Sequence, residues 1–154
     1  MRGPAVTDRT RPARHANRDQ PQAGRTVCSH ARVRYADTDQ MGVVYYANYL
    51  VWFEVGRTEW LRHMGFTYRE VEESGIVLPV IEARCEYRQS ARYDDEIEIR
   101  TRGTLLSAVR VRFDYEIVRQ HTGVVAAVGC TVHASVDPSG RPTRLPERVR
   151  EIFL

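Results

Sequence analysis

One continuous stretch of the sequence, residues 33–65, limits what this chain can fold into. It reads VRYADTDQMGVVYYANYLVWFEVGRTEWLRHMG. The alternation of Val33 and Tyr35 with arginines predicts a strand, and the acidic, glycine-containing segment that follows predicts a turn. From Tyr46 to Met64 there is no proline and one glycine, Gly56, so a helix about 28 Å long is expected there.

The apolar side chains of this helix occupy more than one stripe. Such a helix is typical of the inside of a fold, so we expect the rest of the chain to cover most of its circumference. Gly56 costs about 1 kcal/mol relative to alanine in a helix. A packing reason is therefore expected at Gly56, such as the close approach of another backbone.

After the helix the hydrophobic period changes to two. Alternating segments at 81–88, 96–102 and 109–117 predict half-buried strands, and the segment 124–136, which is apolar on both faces, predicts a more buried one. Short turns are expected around Tyr93–Asp95, Gly103–Thr104 and Gln120–Gly123, which would make successive strands antiparallel neighbours.

Two short helices complete the expected elements, one over 67–74 and one over 146–153. One large helix is available to cover one sheet. The economical arrangement is an α+β domain in which a curved, five-stranded antiparallel sheet wraps around the long central helix.

Residues 1–26 differ in composition from the remainder. They contain six arginines against Asp8 and Asp19, and they show no apolar periodicity. This composition predicts a disordered tail, which leaves 27–154 as the folded domain. The remainder is nearly neutral, with 17 arginines against 18 acidic residues, so a nucleic-acid-binding surface on the domain is not expected.

Several classes of protein are disfavoured by composition. All 23 basic residues are arginine, which excludes Schiff-base chemistry on lysine. The three cysteines have no CxxC spacing, which argues against a zinc site and favours a reducing compartment, so we expect a cytoplasmic protein. No apolar run has the length of a membrane span.

Asp37 and Asp39 are the candidate chemical groups. Both residues suit a role in capping the turn. Asp39 also lies a few residues before the start of the long helix, where free backbone N–H groups and the helix dipole can hold a developing oxyanion. A carboxylate beside such donors can hydrolyse an activated acyl group, either by activating water or by attacking the carbonyl itself.

The segments DTDQMGVVYYANYLVWFE and RQSARYDDEIEIRTR, with the helix between them, closely resemble the 4-hydroxybenzoyl-CoA thioesterase family. Within it, the chain looks most like the bacterial acyl-CoA thioesterase branch that includes the Tol–Pal-associated enzymes. The resemblance covers about residues 27–153. It implies the hotdog fold and hydrolysis of acyl-CoA to free acid and CoA, without a metal or an organic cofactor.

The resemblance also implies the site. Asp39 matches the family's catalytic carboxylate, and the backbone N–H of Tyr46 matches its oxyanion donor. The substrate-binding positions that we infer with it are Gly42, Val44, Tyr45, Asn48, Tyr49 and Arg92. The CoA phosphates are expected at Arg92, with Arg88 and Arg110 as alternatives, and ion pairing within the sheet is an equal explanation for each arginine.

Other properties of the family leave alternatives open. Its members form dimers through sheet edges, and this branch often forms tetramers, so a homodimer or homotetramer is expected. The basic cluster of the hydroxybenzoyl enzyme is not reproduced at residues 105–108, so the family name does not imply an aromatic substrate. The alternative function is a non-hydrolytic acyl-binding or interaction protein; a dehydratase is disfavoured because 33–62 contains no histidine.

Overall fold

The structure, a computed structural model, describes residues 24–154. The predicted tail therefore lies, for residues 1–23, outside the described residues. The described chain forms five strands, one 3₁₀ turn at Tyr35–Asp37 and three α-helices. In chain order these are β1 (Thr26–Arg32), α1 (Asn48–His63), α2 (Tyr68–Glu73), β2 (Val80–Tyr87), β3 (Glu96–Ser107), β4 (Arg110–Arg119), β5 (Val124–Ala134) and α3 (Glu147–Glu151).

The long helix α1 lies on one face of a five-stranded antiparallel sheet, which confirms the predicted architecture. The Phe53 ring stacks on Tyr115 of β4, with centroids 4.3 Å apart. Gly56 faces β3, where an added Cβ would lie 2.8 Å from Ile99 Cγ2 and closer still to Thr101 Oγ1. The packing reason expected for this glycine is thus confirmed.

The burial of α1 differs from the prediction. Its sheet-facing side chains are buried, whereas Leu50, Val51 and Val55 are 42%, 54% and 37% exposed. The expectation that this chain covers most of the helix circumference is therefore wrong. A single sheet layer reaches only one side of a helix, so the second apolar stripe faces outward.

The strand order also corrects the prediction. The sheet runs β1-β3-β4-β5-β2, so β2 and β3 are not neighbours although a short connection joins them. The connecting segment, residues 88–95, spans at most about 28 Å when extended, whereas three strand spacings need only about 14 Å. It crosses the sheet past the residues before α1, where Val44 N donates to Ala91 O over 2.8 Å.

Two local predictions are wrong as well. The first strand is β1, at Thr26–Arg32, and the segment after Val33 forms the 3₁₀ turn instead. The turn expected at Gly103–Thr104 lies within β3. An added Cβ at Gly103 would lie 2.7 Å from the indole of Trp60, so this glycine permits helix packing on a continuous strand.

Other elements form as predicted. Thr67 caps α2 and forms a capping box with Glu70, and the turn at 120–123 connects β4 to β5. Across the described residues, no helix combines the length and the apolar character that crossing a membrane requires.

Candidate active site

Asp37 is enclosed by its own turn. Its carboxylate is buried and accepts hydrogen bonds from Arg34 N and Arg34 Nη2, each over 2.8 Å. The hydrogen bond from the Arg34 side chain is the main cause that lowers the pKa of Asp37, and the arginine charge acts in the same direction. Both carboxylate oxygens are thus engaged by the protein.

The backbone of Asp37 ties this turn to the start of α1. Its carbonyl oxygen accepts one hydrogen bond from Tyr45 N and one from Asn48 Nδ2, each over 2.8 Å. Asn48 is the first residue of α1. The side chain of Asn48 therefore anchors the helix to the turn, a contact that the sequence did not reveal.

Asp39 lies in the next turn and is more open. Its backbone pairs with Val43, and Gly42 N donates to Asp39 O over 2.9 Å. Gly42 adopts a φ of 74°, which glycine accommodates without strain. The Oδ1 atom of Asp39 accepts from Met41 N over 2.9 Å, while Oδ2 accepts no hydrogen bond from any residue between 24 and 154.

The residues before α1 form a turn with two free donors. Asn48 N donates to Tyr45 O over 2.9 Å and closes the turn. The N–H groups of Tyr46 and Ala47, inside the turn, donate to no acceptor in the described part of the chain. Free N–H groups at this end of a helix attract negative charge, because the helix dipole has its positive end there.

A cleft of about 160 Å³ lies beside these donors. Its lining is Val44, Tyr46, Tyr49, Tyr87, Arg88, Gln89 and Ser90. The structure thus brings together three of the predicted site residues. The sequence did not predict that Tyr87, Gln89 and Ser90 line this cleft. The alternation along β2 indicates which face of the sheet a residue occupies, but not that the end of β2 lies beside the turn before α1.

The remaining predicted residues, which are Asp39, Gly42, Tyr45, Asn48 and Arg92, do not line this cleft. Arg92 Nη1 donates to Gly42 O over 3.4 Å, which places its cation against the Asp39 turn. Interaction with the neighbouring Tyr46 phenol is the main cause that raises the pKa of the Tyr45 phenol, and the negative charge of Asp39 contributes to the same rise. The two alternative arginines for the CoA phosphates have other surroundings. Arg88 lines the cleft but pairs with Glu86 over 3.1 Å, and Arg110 does not line the cleft.

Two other features do not form part of this site. A larger hollow of about 760 Å³ on the sheet surface has a mixed lining of charged and uncharged residues, and its Arg100 and Arg112 already have acidic partners. His133 is buried, and its ring nitrogens contact Leu78 O and Thr131 Oγ1, each over 2.8 Å. Within 24–154, no cluster of three or more histidine, cysteine or acidic side chains is arranged to hold a metal ion.

Comparison with known proteins gives the class. Residues 33–153 match the family model described as the thioesterase-like superfamily. The acyl-CoA thioester hydrolase YbgC of Escherichia coli is 34% identical over 119 residues, which are 77% of this chain and 88% of that protein.

Two solved structures agree with this result. A DHNA-CoA thioesterase from Staphylococcus aureus is 33% identical, with a TM-score of 0.74 over 78% of this chain and 80% of that one. A 1,4-dihydroxy-2-naphthoyl-CoA thioesterase from Synechocystis is 25% identical, with a TM-score of 0.77 over 83% of this chain and 95% of that one. The chain therefore belongs to the thioesterase-like superfamily, and its fold is the hotdog fold that the sequence predicted.

Proposed function

We propose that this protein hydrolyses acyl-CoA thioesters to the free acid and CoA, with Asp39 as the general base or the nucleophile. The observation that carries the proposal is the pairing of two features. Within residues 24–154, one carboxylate oxygen of Asp39 accepts no hydrogen bond, and the Tyr46 N–H in the turn before α1 donates to no acceptor.

In the proposed reaction the thioester carbonyl oxygen accepts a hydrogen bond from Tyr46 N–H, which stabilises the tetrahedral oxyanion together with the helix dipole. In the general-base route, Asp39 takes a proton from water as the water oxygen bonds to the carbonyl carbon. Collapse of the intermediate breaks the carbon–sulfur bond, and the departing CoA thiolate takes up the proton from Asp39, which restores the carboxylate.

In the nucleophilic route, a carboxylate oxygen of Asp39 attacks the same carbon and displaces the CoA thiolate. The resulting mixed anhydride is then hydrolysed by water, which regenerates the carboxylate and releases the acid. Both routes need an ionised and accessible carboxylate. Asp37 does not meet this requirement, because Arg34 and the fold occupy its oxygens.

Substrate contacts are proposed in the cleft and at the Asp39 turn. The acyl group would lie in the cleft against Val44 and Tyr49, with Tyr45 at its edge. The guanidinium of Arg92 lies against the backbone carbonyl of Gly42 in the Asp39 turn, where the cation would suit a CoA phosphate. Asn48 would act here mainly by holding the turn in place.

The 4-hydroxybenzoyl-CoA and Tol–Pal-associated branch stays our proposal for the subfamily, supported by the motif around Asp39 and by the similarity to YbgC. We also propose a cytoplasmic location, supported by the three cysteines, which are free thiols. The folded unit proposed from sequence begins near residue 27, close to the start of β1.

A homodimer or homotetramer is proposed from the exposed surfaces. β2 is an edge strand, and an edge presents unpaired backbone groups that association would cover. Val80 and Ile81 on this strand, and Val51 and Val55 on α1, are exposed apolar side chains. A fully active monomer in light scattering would refute this assembly.

The test of function is an acyl-CoA panel on purified protein: acetyl-, hexanoyl-, palmitoyl- and benzoyl-CoA, followed by release of the free CoA thiol. We expect turnover of at least one substrate, abolished or greatly reduced by Asp39→Asn. Calorimetric binding of acyl-CoA without thiol release from any substrate would overturn the proposal in favour of a non-hydrolytic acyl-binding protein.

A further inference from the structure

Tyr87 connects the end of β2 to the turn before α1. It is the last residue of β2, and its hydroxyl donates a hydrogen bond to Tyr46 O over 2.9 Å, across 41 residues of sequence. No other side chain in the described residues donates to this carbonyl; its second bond, from Tyr49 N, is longer at 3.4 Å. The hydroxyl of Tyr87 is thus the shorter of the two contacts that hold this peptide.

The position of this hydroxyl is fixed from several directions. The ring of Tyr87 contacts Tyr49 edge-on, with centroids 5.1 Å apart, and contacts Tyr46 at 6.5 Å with a similar geometry. The backbone is fixed as well, because Tyr87 pairs with Ala127 of β5. A donor held by both strand and aromatic contacts keeps its acceptor in one orientation.

The acceptor belongs to a peptide whose other end, the Ala47 N–H, donates to no acceptor among residues 24–154. A peptide bond is planar and trans, so the Tyr46 C=O and the Ala47 N–H point in opposite directions from one rigid unit. A hydrogen bond on the carbonyl oxygen sets the direction of that N–H and also polarises it toward stronger donation. Ala47 has helical dihedral angles, φ −70° and ψ −20°, so its N–H extends the set of free donors at the start of α1.

We propose that Tyr87 is a positioning residue for the reaction, which holds the peptide between Tyr46 and Ala47 so that the Ala47 N–H acts as a second oxyanion donor beside the Tyr46 N–H. The inference rests on the proposed function, because an oxyanion forms only if the thioester is attacked there. It adds a residue from β2 and a second backbone donor to the site.

Tyr87 acts as a donor and not as a base. Tyr87 is 48% exposed, so its phenol is only partly desolvated; this partial desolvation is the main cause that raises its pKa to about 12, and the neighbouring Cys85 adds to the rise. The phenol therefore keeps its proton at neutral pH and can donate throughout the working range of a carboxylate base.

The test is Tyr87→Phe, which removes the hydroxyl and keeps the ring. The orientation of the Ala47 N–H matters in the transition state, so kcat should fall by about 10- to 100-fold. The KM and the Kd for a non-hydrolysable thioether analogue of the best substrate should stay within about threefold, because no oxyanion forms in those complexes. The pH profile of kcat/KM should keep its shape.

A readout independent of activity is the Ala47 amide resonance in a ¹⁵N-correlated NMR spectrum, which should move in Tyr87→Phe. Tyr93→Phe is the matched control: Tyr93 is 60% exposed, pairs edge-on with Tyr35, and its hydroxyl donates to no described residue. It should leave both kcat and the Ala47 resonance unchanged. Melting temperature and light scattering confirm that each variant keeps its fold and assembly.

The outcomes separate the two proposals. If the parent protein hydrolyses no thioester, the proposed function fails. If the parent is active and Tyr87→Phe keeps kcat within about threefold, or loses it only through a raised KM and a weaker analogue Kd, the positioning role is wrong and the proposed function stands.

Discussion

The turn at Asp37 and the turn at Asp39 are two residues apart, and they present their carboxylates differently. At Asp37 the side chain is buried and both oxygens accept hydrogen bonds from Arg34. At Asp39 one oxygen accepts from Met41 N, and the other accepts nothing from the described residues. Both carboxylate oxygens are thus held by the protein in the first, closed turn, whereas one oxygen in the second, open turn has no partner among the described residues.

In the sequence Asp37-Thr38-Asp39, the first aspartate therefore has a structural role, and the second is available for the proposed chemistry. A carboxylate held by a guanidinium has a lowered pKa, so it is a weaker base, and both oxygens of Asp37 already accept hydrogen bonds from Arg34. Asp37 instead makes the turn rigid, because its backbone carbonyl accepts hydrogen bonds from Tyr45 N and Asn48 Nδ2. The open turn can then keep an under-satisfied carboxylate in a fixed place, which is what catalysis requires.

The largest expected effect is that of Asp39→Asn on the open turn. Asparagine keeps the shape and the turn-forming ability but removes the anion, so kcat/KM should fall by about 10²- to 10⁴-fold. Slow hydrolysis can persist, because the helix-terminal donors remain. The measurement is kcat/KM for one short and one aromatic acyl-CoA, with circular dichroism as the folding check. Values within about tenfold of the parent would make Asp39 a simple turn residue.

Asn48→Ala tests the link between the two turns. It removes the hydrogen bond from Nδ2 to Asp37 O, so α1 starts less firmly against the closed turn. We expect kcat to fall by about tenfold, since donor placement degrades, and stability to fall by about 1 kcal/mol. Steady-state kinetics and urea unfolding measure the two effects. Unchanged kcat with lowered stability would show that the open turn holds its geometry alone.

Asp37→Asn tests the closed turn, and its main effect is on stability. It weakens the contacts with Arg34, and because that guanidinium is 75% exposed, the loss should be only about 1 kcal/mol. Activity should stay within about threefold. Arg34→Gln is the matched control and should cause a similar loss, with little added by the double variant. Equal activity losses in Asp37→Asn and Asp39→Asn would remove the contrast between the turns.

The same variant carries a pH prediction. The pKa of Asp37 is lower in the folded chain than in the unfolded one, so its ionised form stabilises the fold above the unfolded value of about 3.9. That contribution is lost as the pH falls through the folded pKa. The stability difference between parent and Asp37→Asn should therefore shrink below about pH 4 in acid-unfolding curves. A difference that grows on acidification would contradict the ion pair.

The smallest expected effect is that of deleting residues 1–23. The sequence of these residues shows no apolar periodicity, so neither turn should depend on them. Melting temperature and kcat/KM should therefore be unchanged. The deletion stops before Gly24 because Trp60 Nε1 donates to Arg25 O over 2.9 Å. Deletion into 24–26 is the contrasting variant and should lower the melting temperature. A loss of several degrees from the first deletion would show that these residues pack on the domain.

Local secondary structure could be predicted from the sequence, because the residue patterns that determine it lie within single helices, strands and turns. Period-two alternation located the four strands after the long helix, and the start predicted for that helix, at Tyr46, lies within two residues of the observed one at Asn48. In each case the residues that determine the structure are neighbours in the chain. Gly56 was also interpreted correctly, since a glycine in the middle of a good helix needs an external reason.

The tertiary structure alone decided the strand order, the outward stripe of α1 and the partners of the two aspartates. Periodicity shows which face of a strand is apolar, but it does not show which strand lies beside it. The segment 88–95 is long enough to connect β2 to β3 in several different strand orders. Gly103 is a residue type typical of turns, but in the structure it makes room for the Trp60 ring, which lies 43 residues earlier in the sequence. The contact of Tyr87 with Tyr46 likewise depends on where β2 ends relative to α1, a distance fixed only when helix and sheet pack together.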